Sequence, residues 1–124
     1  MARIAVIDDD PVEVILLSGQ AEAYSDALEF EGFTTVEDFL AHPEAGSFDL
    51  IFLDRRIPPY GSFKETLPKI EQSGVKAPVV LMSAYGFDEE KVATDLETVG
   101  PVSKFVFIEG DMVEEILGRY FPKS

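Results

Sequence analysis

Apolar runs separated by turn residues recur along the chain and predict a parallel sheet buried on both faces. The predicted strands are Arg3–Ile7, Ala27–Glu31, Asp49–Leu53, Pro78–Ser83 and Lys104–Ile108. Gly32 is expected to end the second strand, which alternates apolar and polar residues. The third strand ends abruptly on an acid, Asp54, which is followed by two arginines and two prolines.

Segments with apolar residues at helical spacing alternate with these strands. The predicted helices run from Pro11 to about Ala23, Thr34 to about His42, Ser62 to about Gln72, Asp88 to Val99 and Met112 to Tyr120. Capping signals open three of them, at Asp10, Thr34 and Ser62. Pro68 is expected to shorten, kink or split the third helix, and Gly100-Pro101 to close the fourth.

The first predicted helix is apolar on more than one side. Val12, Ile15, Leu16 and Gly19 recur at the spacing of one helix face. Val14 and Leu17 add a second apolar side, which indicates either a deeply buried helix or a surface that binds a partner.

Five strands alternating with five helices predict an α/β fold, a doubly wound parallel sheet of (βα)5 flavodoxin-like type with strand order 2-1-3-4-5. In this topology the carboxyl ends of strands 1, 3 and 4 meet at one cleft. They bring together Asp8, Asp9, Asp54 and Ser83. At 124 residues, residues 1–124 are expected to form a single domain with no fused output domain.

The charge balance narrows the range of partners. There are 10 Lys and Arg residues against 24 Asp and Glu, for a formal net charge of −14. Such a field repels nucleic acid and anionic membranes and favours cations and basic protein surfaces. The chain has no cysteine, and it enters a strand at once, so we expect no signal peptide and a cytoplasmic protein.

The acidic residues predicted at this cleft are suited to binding a cation. Three crowded carboxylates repel each other unless a cation lies among them. An all-oxygen ligand set without histidine or cysteine selects Mg²⁺ or Mn²⁺. A carboxylate beside such an ion can attack phosphorus and form an aspartyl phosphate, with the Ser83 hydroxyl donating to a phosphoryl oxygen. The single histidine, His42, is expected at the surface.

Three motifs carry a family resemblance: V-I-D-D-D-P at positions 6–11, F-D-L-I-F-L-D-R-R-I-P at 48–58 and P-V-V-L-M-S-A at 78–84. In order and spacing they resemble the receiver domain of two-component response regulators, over essentially the full chain. The resemblance implies that Asp54, with Pro58 after it, accepts a phosphoryl group from a histidine kinase or phosphotransfer protein. The implied Mg²⁺ ligands are Asp8, Asp9, Asp54 and the backbone carbonyl of Arg56, while Asp10 fits better as a helix cap.

The resemblance also assigns the readout of the phosphoryl group. It implies that Ser83 senses that group and that Phe105 is the switch aromatic on strand 5. The family ends strand 5 with a lysine that pairs with the phosphoryl group, but that position is Ile108 here. Lys104 is expected at the opposite end of the strand, out of reach of the site.

We therefore expect a single-domain receiver that signals through an unidentified downstream protein in a phosphorelay, and that is also compatible with a homodimer. It is not expected to be an enzyme, although it would catalyse its own phosphorylation and dephosphorylation. One alternative is a pseudo-receiver that binds partners without phosphorylation, suggested by the missing lysine and the apolar first helix. Another is a phosphotransferase resembling the haloacid dehalogenases, with Asp8 as nucleophile in the motif Asp8-x-Asp10-x-Val12.

Overall fold

The computed structural model describes residues 2–24, 28–55, 57, 63–83, 94–103 and 111–121. The strands in these residues are β1 (Ala2–Ile7), β2 (Leu28–Phe33), β3 (Leu50–Asp54), β4 (Val79–Ser83) and β5 (Thr98–Ser103). The α-helices are α1 (Pro11–Tyr24), α2 (Val36–Ala41), α3 (Phe63–Gln72) and α4 (Asp111–Tyr120). A short 3-10 helix, Ala45–Ser47, precedes β3. No helix in the described ranges is long and apolar enough to cross a membrane.

The five strands form one parallel sheet in the order β2-β1-β3-β4-β5. The predicted flavodoxin-like topology is thereby confirmed. The central strand β3 is buried along its whole length, because helices cover both faces of the sheet. Its apolar run reflects that double burial.

Each face of the sheet has its own apolar core. On one side the sheet packs against α2 and α3, which contribute Phe39, Phe63 and Leu67. On the other it packs against α1 and α4. The predicted inward stripe of α4 is confirmed, since Val113, Ile116 and Leu117 are buried and Tyr120 is half-buried.

α1 packs against the sheet with the side opposite to the one that its main apolar spacing suggests. The inward side is made by Leu17 and Tyr24, which are buried, and by the half-buried Val14. The stripe of Val12, Ile15, Leu16 and Gly19 faces away from the sheet and is exposed. Because both sides of the helix are apolar, spacing alone does not decide which one the sheet covers.

The end of β2 corrects a second expectation. Gly32 does not end the strand, which continues to Phe33. A β-carbon at Gly32 would lie 2.5 Å from Cγ1 of Val14. The glycine therefore serves the close approach of α1 to the sheet rather than a turn.

The start of α2 and the proline inside α3 both differ from the prediction. The cap of α2 is Thr35, one residue later than expected, and its Oγ1 accepts a hydrogen bond from the Asp38 backbone N–H at 3.0 Å. Pro68 lies inside α3, which nevertheless runs from Phe63 to Gln72. The helix is neither shortened nor split, and Ser62, its predicted cap, lies outside the described residues.

The largest correction concerns the fifth strand, which is Thr98–Ser103 and not Lys104–Ile108. Thr98 and Val99, predicted to be helical, therefore lie in a strand. Gly100 has a φ of +99° and lies where the pairing of β4 with β5 shifts register. It forms a bulge in an edge strand, where Pro101 is also tolerated. Residues 84–93 and 104–110 lie outside the described ranges.

We predict that Gly32→Ala lowers the free energy of unfolding by about 1–3 kcal/mol, as overpacking does. Val14 has a stiff χ1 in a helix and cannot easily move away from the added methyl group. Gly19→Ala is the matched control, because nothing lies within 4 Å of its β-carbon position. As a helix-interior change it should raise the free energy of unfolding by about 0.5–1 kcal/mol. Urea denaturation of both variants measures the difference, and an unchanged Gly32→Ala midpoint would show that the contact is not tight.

Candidate functional site

The candidate site lies at the carboxyl edge of the sheet, where β1 and β3 end side by side. Ile7 is in register with Leu53, so the residues that follow, Asp8 and Asp54, lie at the same level. Both carboxylates are removed from solvent, with Asp8 fully buried and Asp54 5% exposed. Asp9 follows at the exposed rim of the same edge.

Backbone hydrogen bonds fix the segment that carries the acidic pair. The Asp8 N–H donates to the Phe33 carbonyl at 2.9 Å, which ties the end of β1 to the end of β2. Asp8 Oδ1 accepts from the Asp10 N–H at 3.0 Å. Asp10 in turn caps α1, since its Oδ1 accepts from the Val12 N–H at 3.0 Å. Asp10 thus positions the helix start, as expected.

The carboxylate at the end of β3 is held by the residue that follows it. Asp54 Oδ1 accepts from the Arg55 N–H at 2.9 Å. The same N–H donates to the Met82 carbonyl of β4 at 2.9 Å. The orientation of the Asp54 side chain therefore depends on the pairing of β3 with β4.

The acids meet closely enough to hold one cation. One oxygen from each of Asp8, Asp9 and Asp54 lies within 4.8 Å of the others. Ligands of an octahedral Mg²⁺ stand about 2.0–2.1 Å from the ion, so their mutual distances of about 3–4 Å fit this cluster. The donors are all carboxylate oxygens, which suits a hard cation. The residues present therefore fit Mg²⁺ or Mn²⁺.

The structure describes the other predicted site residues only in part. Ser83 is the last residue of β4, one position beyond Met82, which pairs with Asp54. Its side chain is outside the described part of the chain. Arg56, Phe105 and Ile108 are also outside it, and the role assigned to Arg56 stays a prediction. The roles of Phe105 and Ile108 were assigned on a strand of residues 104–108, whereas β5 ends at Ser103, so the basis for both assignments was wrong.

The position of β5 changes where Lys104 falls relative to the end of that strand. That residue was expected at the end of strand 5 far from the site, but β5 ends at Ser103, which pairs with Ser83. Lys104 is the next residue in the sequence after the carboxyl end of β5. The reason for excluding it was therefore wrong. The β-branched residues of Thr98–Ser103 were the missed signal, obscured by Gly100-Pro101.

The sequence matches no protein-family model and no curated protein. Solved structures do match. The response regulator TrrA from Thermotoga maritima, in complex with Mg²⁺ and BeF, is 27% identical with a TM-score of 0.68, covering 98% of this chain and 100% of that one. A CheY-like receiver domain from Methylobacillus flagellatus is 16% identical with a TM-score of 0.72, covering 97% and 98%.

A third structure, the BeF3-activated receiver domain of DrrB, is 21% identical with a TM-score of 0.63 and covers 99% of both chains. These similarities extend over almost every residue of both partners, so they concern the complete fold and not a shared fragment. The chain therefore has the fold of the response-regulator receiver domains over nearly its whole length.

Proposed function

We propose that the chain is a response-regulator receiver in which Asp54 accepts a phosphoryl group from a phosphohistidine of a kinase or phosphotransfer protein. The observation that carries this proposal is the convergence of Asp8, Asp9 and Asp54 within 4.8 Å at one sheet edge. The receiver fold of the chain and the Mg²⁺–BeF complex of TrrA support it.

The reaction follows from the placement of the Asp54 carboxylate. One of its oxygens attacks the phosphorus atom, an O–P bond forms, and the P–N bond to the donor imidazole breaks. The imidazole keeps the electron pair of that bond and takes a proton from solvent, and the product is an acyl phosphate. A bound Mg²⁺ or Mn²⁺ would neutralise the carboxylates and the phosphoryl oxygens. The Arg55 N–H holds the nucleophile in one orientation.

The hydrogen bonds favour Asp54 over Asp8 as the nucleophile. The dehalogenase-like alternative requires Asp8 and Asp10 to act together. Asp10 is exposed and its Oδ1 caps α1 instead. The cap of α1 thus occupies the acid that this alternative needs beside Asp8.

A second candidate function is a pseudo-receiver that binds partners without being phosphorylated. The observation in its favour is the exposed apolar side of α1, which gives the domain a surface for binding. Stoichiometric formation of an acyl phosphate on Asp54 distinguishes the two functions, because a pseudo-receiver is not phosphorylated.

We predict that Mg²⁺ raises the melting temperature of the protein and that Asp9→Asn abolishes the rise. At a hundredfold excess over the dissociation constant, binding should add about 2.7 kcal/mol to the free energy of unfolding. Without metal, Asp9→Asn should be at least as stable as the wild type, because it relieves repulsion. Asp10→Asn is the control, since asparagine caps a helix as well as aspartate does. A metal-dependent shift that persists in Asp9→Asn would contradict the assignment.

We predict that incubation with Mg²⁺ and acetyl phosphate adds one phosphoryl group to the wild type and none to Asp54→Asn. Intact-mass measurement detects the adduct, and Asp10→Asn should retain it. Reductive trapping of the acyl phosphate followed by peptide mapping locates the site. A label on Asp8 would favour the dehalogenase-like enzyme, and no label under any condition would favour the pseudo-receiver.

We further predict that Lys104 supplies the basic contact to the phosphoryl group. Its place in the sequence, directly after β5, supports this role. A charged hydrogen bond is worth about 1.5–3 kcal/mol, so Lys104→Gln should weaken binding of beryllofluoride at least tenfold. Lys76→Gln, an exposed lysine before β4, is the control. The prediction is wrong if Lys104→Gln binds beryllofluoride as tightly as the wild type and Ile108→Lys binds it more tightly. The wild type would then lack a basic contact to the phosphoryl group, as the sequence first suggested.

A further inference from the structure

We propose that the outer edge of β2 binds an extended segment of another protein, in which Lys or Arg residues alternate with apolar residues. The segment would pair with β2 and add a further strand to the sheet. The binding surface, called the β2 edge below, consists of the backbone of Leu28–Phe33 and the side chains of Glu29 and Glu31.

The backbone of the β2 edge is open to pairing. Among the described residues, β2 is the terminal strand of the sheet, with β1 on its inner side. The Phe33 carbonyl accepts from the Asp8 N–H at 2.9 Å, so the backbone groups of Phe33 point towards β1. Backbone groups of alternate residues point to opposite sides of a strand. Those of Leu28, Phe30 and Gly32 therefore point outwards, where they are available to a partner strand.

The two faces of the β2 edge differ in chemistry. Leu28 and Phe30 are half-buried and pack against the core that the sheet forms with α1 and α4. Glu29 and Glu31 lie on the opposite face, and their side chains are 59% and 42% exposed. Because directly opposite residues of paired strands share a face, a matching strand carries apolar side chains on one face and basic ones on the other.

The acids of the β2 edge are only partly neutralised by Arg3. Arg3 Nη1 donates to Glu44 at 2.7 Å and to Ser47 Oγ at 2.6 Å. Its Nε is 3.8 Å from Glu29 and its Nη2 is 3.6 Å from Glu31, and both distances are too long for a hydrogen bond. One arginine thus faces three glutamates, so negative charge is in excess and attracts a further cation.

The space beside the acids suits a basic side chain. His42 Nε2 lies 3.0 Å from Glu31, but its Nδ1 accepts a backbone N–H, so the ring is neutral in this arrangement. A depression of about 360 Å³ adjoins the strand and has room for the end of a Lys or Arg side chain. It is lined by Arg3, Glu29, Phe30 and Glu31.

The same acids exclude a second copy of this chain as the occupant. Antiparallel pairing of two β2 edges centred on Phe30 would place Glu29 opposite Glu31. Like charges directly opposite each other destabilise a pair of strands. The formal net charge of −14 adds to this repulsion between copies, whereas a basic strand is attracted by the same charges.

The inference does not rest on the proposed phosphorylation. The β2 edge needs no chemistry at Asp54, so Asp54→Asn should bind the partner strand as tightly as the wild type. Failure of the β2 edge and failure of the phosphoacceptor are therefore separate results.

The test uses the full chain labelled with ¹⁵N and three synthetic peptides of equal length. The first alternates Lys with Val, the second alternates Glu with Val, and the third repeats the first with N-methylated backbone amides. We expect the Lys-Val peptide to bind about tenfold more tightly than the Glu-Val peptide, because each basic residue replaces a repulsive cross-strand pair by an attractive one. The N-methylated peptide should not bind, because it cannot donate backbone hydrogen bonds to the edge.

Amide hydrogen exchange gives a signature of strand pairing. The outward N–H groups of Leu28, Phe30 and Gly32 should exchange more slowly when the Lys-Val peptide is bound. The N–H groups of Glu29 and Glu31 point towards β1 already, so their exchange should change much less. Attraction by charge alone would not produce this alternation.

Glu29→Gln should weaken binding of the Lys-Val peptide about two- to fivefold, the effect of losing one cross-strand charge pair. Glu29→Lys should weaken it further. Glu114→Gln is the matched control, since it removes one exposed charge from α4 on the other face of the sheet, and it should leave the affinity unchanged. Circular dichroism confirms that the variants fold.

Equal affinity for the Lys-Val and Glu-Val peptides would overturn the proposal. Binding that N-methylation leaves unchanged would overturn it as well, because attraction would then be by charge alone. A homodimer of the wild type that protects the N–H groups of Phe30 and Gly32 would also overturn it, since the occupant would then be a second copy.

Discussion

The structure depends on the parallel register that sets the end of β1 beside the end of β3. Ile7 pairs with Leu53, and this pairing forces Asp8 and Asp54 to the same level at one edge. Like charges in a buried position oppose folding unless hydrogen bonds or a cation compensate them. The N–H groups of Asp10 and Arg55 provide part of that compensation. The two apolar cores hold the strands in register against the remaining repulsion.

The site is therefore built mainly from backbone geometry. The Arg55 N–H serves Asp54 and the Met82 carbonyl at once, so the carboxylate orientation and the β3–β4 pairing change together. The same holds for Asp8, whose N–H is bonded to the end of β2. A charge change at this edge must act on the ends of neighbouring strands. That is the physical condition under which a small modification can alter a larger surface.

The sheet order and the acidic cluster could be predicted from sequence because both depend on local signals. A buried strand such as Leu50–Asp54 ends on the acid that closes its apolar run, and the parallel topology brings such strand ends together. The covered side of α1 could not be predicted, because Leu17 and Ile15 are equally apolar and only the sheet selects between them. The fifth strand was misplaced because Gly100 and Pro101, read as a helix end, belong to a bulge in an edge strand.

The start of α1 connects the acidic cluster with the exposed apolar surface. Asp10 donates its N–H to Asp8 and accepts the N–H of Val12, so one residue joins a metal-ligand candidate to the first residue on the exposed apolar side of α1. A partner bound to that side of α1 and a cation bound to the acids would both act on this helix terminus. Energetic coupling between the two requires that each bind one arrangement of the terminus better than another. The hydrogen bonds from Asp8 through Asp10 to Val12 connect the two sites directly, so a change in the position of one end can be transmitted to the other.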